Sequence, residues 1–283
     1  MWSPRGRFWQ ECRACGFLAS GLEPGIGAPE KHRALDEALR SASLAPIRRI
    51  NFNKVLDRLA ALRPGGRLSV LDVGCAHGWF LQEAAGRGHL AVGIEPDAQI
   101  ASQARTVGVQ VISGFFPTDL PAEVSFDVIT FNDVFEHLPD LASVAQACRD
   151  RLRTDGLLAI TLPSSHGILF RVARVLERLG VRGPMERLWQ RGFPSPHLAY
   201  FHPEGLARFL SSHGFRECHR QELPSFSRAG LWQRLRYDRR ASIVSSAFYY
   251  LALLSLGPAF RLFPSDISFQ VFERGADSRR THV

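Results

Sequence analysis

The chain of 283 residues is long enough for one large α/β domain with insertions, and its 45% hydrophobic and 22% charged residues exclude an intrinsically disordered chain. A net charge of +8 admits an anionic partner, but arginine is spread along the chain without a basic block or nucleic-acid motif, so no nucleic-acid partner is expected. Five cysteines (Cys12, Cys15, Cys75, Cys148, Cys218) make an odd number, and Met1-Trp2-Ser3-Pro4-Arg5 lacks a secretory apolar stretch; both point to a reduced, cytoplasmic protein.

In chain order, residues 1–62 read as an N-terminal tail and a helical lead-in, with apolar residues at helical spacing from Pro29 to Leu62, a break at Pro46 and a stop at Pro64-Gly65-Gly66. Residues 63–222 alternate short β-type runs with helical ones. Strands are expected at Leu68–Val73, Leu90–Glu95, Val109–Ser113, Phe126–Phe131 and Leu157–Leu162, with helices at Gly78–Gly86, Ala98–Thr106 and Leu141–Leu152. Helices at Ile168–Leu179 and Pro203–Ser212 follow, separated by an irregular stretch from Gly180 to Pro196. Residues 223–283 hold a long insertion between two last strands, Phe215–Glu222 and Ile267–Phe272. The sum is an α/β fold with a seven-stranded, mostly parallel sheet, helices on both faces and a helical insertion before the last strand.

Inside the insertion, Ala247–Leu256 is apolar but shorter than the roughly 20 residues a membrane span needs. A helix packed on the domain is the first expectation. Peripheral membrane or lipid contact through 234–263, at the inner face of a membrane, is the other, because Arg234, Arg236, Arg239 and Arg240 precede the run.

The chemistry concentrates in Leu71-Asp72-Val73-Gly74-Cys75-Ala76-His77-Gly78, at the junction of the first core strand and its helix. Glycines there let the backbone turn and approach a ligand closely, and the helix start offers unpaired N–H groups. Glu95 lies 23 residues beyond Asp72 at the end of the next strand, where a carboxylate accepts hydrogen bonds from both hydroxyls of a ribose. A dinucleotide-dependent oxidoreductase would use the same parts but needs G-x-G-x-x-G, which this loop lacks.

The chain here resembles the class I S-adenosylmethionine-dependent methyltransferases, in particular the branch similar to the ubiquinone-biosynthesis O-methyltransferases. Asp72–Gly78 looks like the first motif with Ala76 at its middle glycine, and Gly93-Ile94-Glu95-Pro96-Asp97 like the second. Ser125–Ile129 with Asn132-Asp133-Val134-Phe135-Glu136-His137-Leu138-Pro139-Asp140 resembles the fourth strand and its signature. Leu152–Leu158 matches the turn before the fifth strand, and Pro196–Leu206 with Ser212–Phe215 the downstream block. The resemblance covers residues 50 to 222 and implies a Rossmann-like fold and S-adenosyl-L-methionine as cofactor. It places the cofactor on Asp72, Gly74, Cys75, Ala76, His77, Gly78, Glu95, Pro96, Gly114, Phe115, Asn132 and Asp133. No acidic residue follows the third core strand in Ser113-Gly114-Phe115-Phe116-Pro117, so adenine is expected to rest on backbone groups and on Phe115 or Phe116.

Methyl transfer needs donor and acceptor aligned, and a hydroxyl acceptor also needs a proton taken, for which His137 and His197 are the candidates. The expected acceptor is a small, partly hydrophobic molecule, or else a sugar or lipid-linked glycan at a membrane surface; a non-catalytic cofactor-binding protein is the remaining alternative. Residues Gly180–His202 and Leu223–Pro264, rich in aromatics, are expected to cover the acceptor. No metal is expected, since Cys12-Arg13-Ala14-Cys15 has no second cysteine pair to complete four ligands.

Overall fold

A computed structural model describes residues 2–4, 6, 8–13, 16–24, 37–237, 242–257 and 262–275. Seven strands form the main sheet: β4 (Ser69–Val73), β5 (Leu90–Glu95), β6 (Gln110–Ser113), β7 (Phe126–Asn132), β8 (Leu152–Pro163), β10 (Phe215–Leu223) and β11 (Ile267–Arg274). Their order is β10-β11-β8-β7-β4-β5-β6, in which β6, β5, β4, β7 and β8 run parallel and β11 runs antiparallel to both neighbours. This is the expected mostly parallel sheet with helices on both faces.

Both faces are covered, which is why the central strands read as nearly continuous apolar runs. In β4, Leu71 and Val73 point into one core with Phe131, Ile160 and the helices α4 (Leu141–Arg151) and α7 (Pro203–Ser212). Val70 points to the opposite face, where Phe52, Val55, Leu56 and Leu59 of α1 (Glu37–Leu62) and Phe80 of α2 (Trp79–Gly86) fill a second core. Asp72 shares that second face by strand alternation, so the motif acid lies under α1.

The proline at 46 does not break α1, which runs through it. A proline removes the bond to the carbonyl four residues earlier, here that of Ala42; both residues are exposed, so water can take the freed group. The start of the lead-in, residues 25–36, lies outside the described residues, as do Arg239 and Arg240.

The N-terminal segment is more than a tail. Strands β1 (Trp2–Pro4), β2 (Trp9–Cys12) and β3 (Leu18–Ser20) form a four-stranded sheet with β9 (Ala199–Tyr200), almost 180 residues further along. Trp9, Leu18, Met185, Trp189 and Tyr200 pack with Phe170 and Ala173 of α5 (Ile168–Arg178) into a third cluster. The stretch expected to be irregular thus contains the short helix α6 (Gly183–Leu188) and a buried tryptophan, Trp189. Cys15, one half of the cysteine pair, is outside the described residues.

In the insertion, α8 (Leu231–Arg236) begins at Gly230, whose Cα lies so close to the Ser43 carbonyl of α1 that a Cβ would meet it at 2.7 Å. Helix α9 (Ile243–Leu256) departs from the packed helix expected first. Ile243, Val244, Phe248 and Leu251 are between 63% and 79% exposed, because a helix apolar all round can hide only one side against a single neighbour. None of the described helices is long and apolar enough to cross a membrane.

Candidate cofactor and acceptor site

The turn after β4 is built by its glycines. Gly74 takes φ 68°, and a Cβ there would meet the Val134 side chain at 2.6 Å, so only glycine fits. Ala76 also adopts a left-handed conformation, φ 45°, which an alanine tolerates at a cost of about 1–2 kcal/mol. Its conformation is held in place because the Ala76 N–H donates to Glu95 Oε2 at 3.0 Å, while Asp97 N–H donates to Oε1 at 3.0 Å. Loop and acid are therefore one unit. Burial pushes the Glu95 carboxyl up from its ordinary range, opposed by these two backbone donors.

Asp72 is buried beside this loop. Its Oδ1 accepts from Thr130 Oγ1 at 2.7 Å and from Asn132 Nδ2 at 2.9 Å, two residues of β7 on the same strand face. Burial raises its carboxyl to about 7, against the pull of those bonds. A cleft opens here, lined by Arg48 and Phe52 of α1, by Asp72, Gly74, Cys75, Ala76 and His77, by Trp79 and Phe80 of α2, and by Asn132.

Six of the twelve residues assigned to the cofactor from sequence thus meet at one cleft. Glu95 stands directly behind it through the Ala76 bond. Gly78 starts α2 at φ 74°, and Cys75 turns its thiol into the core against Gly93. Asp133, at φ 57°, lies 3.4 Å from Arg48 in an ion pair, and Pro96 and Gly114 sit at the ends of β5 and β6. The pair Phe115 and Phe116 divides: Phe116 packs edge-on against Phe131 in the core, whereas Phe115 is 56% exposed and free to meet a ligand. Phe116 is therefore committed to the core, and of the two only Phe115 keeps an exposed ring.

Sequence reasoning missed several residues. Asp119 folds back so that its Oδ2 accepts from Phe115 N–H at 2.7 Å and its Cβ abuts Gly114, placing an acid beside the third core strand after all. Arg48 and Phe52 come from a helix read only for its apolar spacing. The signal for Thr130 was present, since it and Asn132 alternate as polar residues in the otherwise apolar second half of β7.

The two candidate histidines, 60 positions apart, converge. His137 ends a 3-10 turn (Phe135–His137) after β7, and His197 precedes β9; their ring centroids are 4.7 Å apart. Between them lies Glu136, 1% exposed, with neither carboxylate oxygen hydrogen-bonded; its Oε1 is 3.8 Å from His137 Nε2 and 3.9 Å from His197 Nε2. Burial pushes the Glu136 carboxyl well up, and Asp133 adds to the effect. The two segments expected to cover the acceptor touch one another: Arg187 of α6 donates to the Arg234 carbonyl of α8 at 3.1 Å, and Phe193 packs on Tyr237.

Comparison with known proteins agrees with this geometry. A family model described as a methyltransferase domain matches residues 47–219. The ubiquinone biosynthesis O-methyltransferase of Hahella chejuensis is 40% identical over 112 residues, covering 36% of this chain and 46% of that protein. The protein of the same name from Glaesserella parasuis is 31% identical over 103 residues, covering 32% and 44%. The chain spans about half the length of the curated relatives it matches. Among solved structures, an S-adenosylmethionine-dependent methyltransferase from Archaeoglobus fulgidus superposes with a TM-score of 0.52 at 17% identity, covering 81% of this chain and 97% of that one. The magnesium protoporphyrin IX methyltransferase from Synechocystis, solved with S-adenosylhomocysteine, gives 0.53 at 13% identity over 82% and 86%. With the glycine loop, the acid of β5, the strand order and a family match over most of the core in agreement, the chain belongs to the class I S-adenosylmethionine-dependent methyltransferases.

Proposed function

We propose that the protein transfers the methyl group of S-adenosylmethionine to a hydroxyl of a small, partly hydrophobic acceptor. The observation that carries the cofactor half is the single unit formed by the Ala76 amide, which lines the cleft, and Glu95 behind it. The acceptor half is supported by the two histidines at the adjoining strand end and by O-methyltransferases among the similar proteins. In the reaction the hydroxyl gives its proton to His137 or His197, its oxygen forms the new C–O bond, and the C–S electron pair stays on sulfur, leaving S-adenosylhomocysteine.

Calorimetry with S-adenosylmethionine and S-adenosylhomocysteine, followed by a methylation assay on hydroxylated aromatics, tests this reading. Binding with no turnover on any hydroxyl would favour a cofactor-binding protein on the same scaffold, and heat from a nicotinamide dinucleotide alone would overturn the family's chemistry here.

A second reading keeps the chemistry and moves the acceptor to a lipid surface. It is favoured by the outward apolar residues of α9, with Arg236 before them. Phe248→Ser with Leu251→Ser would then weaken binding to anionic vesicles without changing cofactor affinity. Equal vesicle binding by the double variant would remove this reading.

A further inference from the structure

We propose that α5 lays its outward face on an anionic lipid bilayer, so that the acceptor end of the site opens toward that surface. The inference deepens the lipid-surface reading and rests on it for the whereabouts of the acceptor, but the docking itself needs no acceptor to be tested.

Helix α5 is apolar on a side that the fold leaves uncovered. Phe170 and Ala173 are buried in the cluster with Trp9 and Trp189, yet Leu169, Val172 and Val175, with Leu179 at the helix end, are between 37% and 74% exposed. At about 100° per residue these four fall within an arc of about 120°, on the side away from Phe170 and Ala173. Single exposed apolar residues are ordinary on a protein surface, whereas a contiguous row marks a contact site. The row continues at both ends. Val181 is exposed beyond Leu179, and at the start of the helix Ile168 N–H donates to the Pro264 carbonyl at 3.2 Å and Leu169 N–H to Asp266 Oδ1 at 2.8 Å, which brings the exposed Leu262 and Phe263 alongside.

Charge selects the occupant. Arg171, Arg174 and Arg178 share the arc beside the apolar one, Arg182 follows, and Glu177 is the one acid of the helix. Arg174 turns inward, 3.6 Å from Glu11 and 5.8 Å from the centroid of the Trp9 ring. Arg171, Arg178 and Arg182 are exposed, and none of the three is paired with an acid among the described residues. A row of leucine and valine flanked by unpaired arginines fits the boundary between headgroups and acyl chains of an anionic membrane, where the apolar side chains leave water and the guanidinium groups meet phosphates.

The place of α5 in the fold ties this face to the chemistry. The helix follows the carboxyl end of β8, the edge of an open α/β sheet at which ligands bind. On its inner side Phe170 packs on Tyr200 with ring centroids 4.8 Å apart, and the Tyr200 hydroxyl oxygen lies 3.1 Å from His197 Nδ1. One helix, about 10 Å across, thus separates the outward row from a candidate base, and a hydroxyl carried at the head of a membrane lipid has a short way to travel. This face is separate from α9, whose outward residues first raised the lipid surface.

The test is sedimentation of the whole chain with vesicles of phosphatidylcholine, with and without phosphatidylglycerol, beside calorimetry with S-adenosylhomocysteine. The chain should bind the mixed vesicles, and the neutral ones at least about tenfold more weakly. Val172→Ser with Leu179→Ser should lower binding to mixed vesicles at least about tenfold, and Arg171→Gln with Arg178→Gln by about 10- to 30-fold on mixed vesicles alone. In both, S-adenosylhomocysteine affinity should stay within about threefold. The control Val107→Ser, at an exposed valine just before β6, should change neither. Should the valine and leucine variant lose S-adenosylhomocysteine affinity, the arginine pair decides. No binding of the wild type to mixed vesicles, or undiminished binding by either double variant, would overturn the proposal. So would a dimer in gel filtration that Val172→Ser with Leu179→Ser takes apart, since the face would then belong to a second copy. Loss in the α5 variants with full binding by Phe248→Ser with Leu251→Ser would uphold α5 as the docking helix and remove the reading from α9; the converse would overturn this proposal and keep that reading.

Discussion

The end of this molecule proposed for the cofactor and the end proposed for the acceptor are assembled in opposite ways. At the cofactor end, Asp72, Gly74, Ala76 and His77 are neighbours in one turn, Glu95 is the end of the adjacent strand, and Thr130 and Asn132 are the end of the strand on the other side. Parallel pairing alone brings these together, so local sequence suffices. At the acceptor end, His197 reaches Glu136 only because β9 docks on β3 and the Trp9–Trp189–Tyr200 cluster fills beneath it. That region depends on contacts between residues far apart in the chain, whose closure is paid in conformational entropy. Function at one end is thus written in a motif, and at the other in packing.

The largest expected effect sharpens this division. Trp189→Ala removes a fully buried ring from the acceptor-side cluster and should cost about 3–5 kcal/mol in urea denaturation, with S-adenosylhomocysteine affinity preserved within about threefold. Collapse of cofactor binding in parallel with stability would show that the two ends form one cooperative unit.

Next in size, Glu95→Ala should lose about 10- to 150-fold in cofactor affinity, the worth of a charged acceptor for two ribose hydroxyls. The variant also frees the Ala76 amide, so calorimetry and circular dichroism together separate lost contact from lost loop geometry. An unchanged affinity would move the ribose elsewhere and break the cofactor side of the comparison.

The pH dependence of cofactor binding follows from Asp72. Its carboxyl, raised from 3.8 to about 7, holds a proton in the ligand-free protein below that pH, whereas a cationic sulfonium ligand favours the ionised form. Affinity for S-adenosylmethionine should therefore fall as pH drops below about 7, by at most about tenfold per unit, with proton release seen as a buffer-dependent heat. For the free protein the sign is the reverse. Between pH 3.8 and about 7 the native state binds more protons than the unfolded one, so stability falls as pH rises through that window. Asp72→Asn should flatten both profiles.

The smallest effect is a gain. Ala76→Gly relieves a left-handed alanine but adds freedom to the unfolded chain, for a net stabilisation of up to about 1 kcal/mol, or about 2–4 °C in Tm. A loss would mean that the Glu95 bond, rather than the loop's own preference, determines the geometry.

The sequence by itself determined the sheet, its parallel core, the glycine loop and Glu95, because each follows from a local rule: apolar runs for strands buried on both faces, glycine for a sharp turn, an acid at a strand end. Even there it misjudged Pro46, whose missing bond an exposed helix turn can leave to water, and it could not see Asp119 folding back onto Gly114. Only the tertiary structure decided that Arg48 and Phe52 line the cleft, that the N-terminal strands clasp β9, and that two histidines named separately meet across a sealed carboxylate. Those facts rest on which distant surfaces bury each other, and no period or spacing along the chain encodes the direction in which it returns after sixty residues of strand and helix.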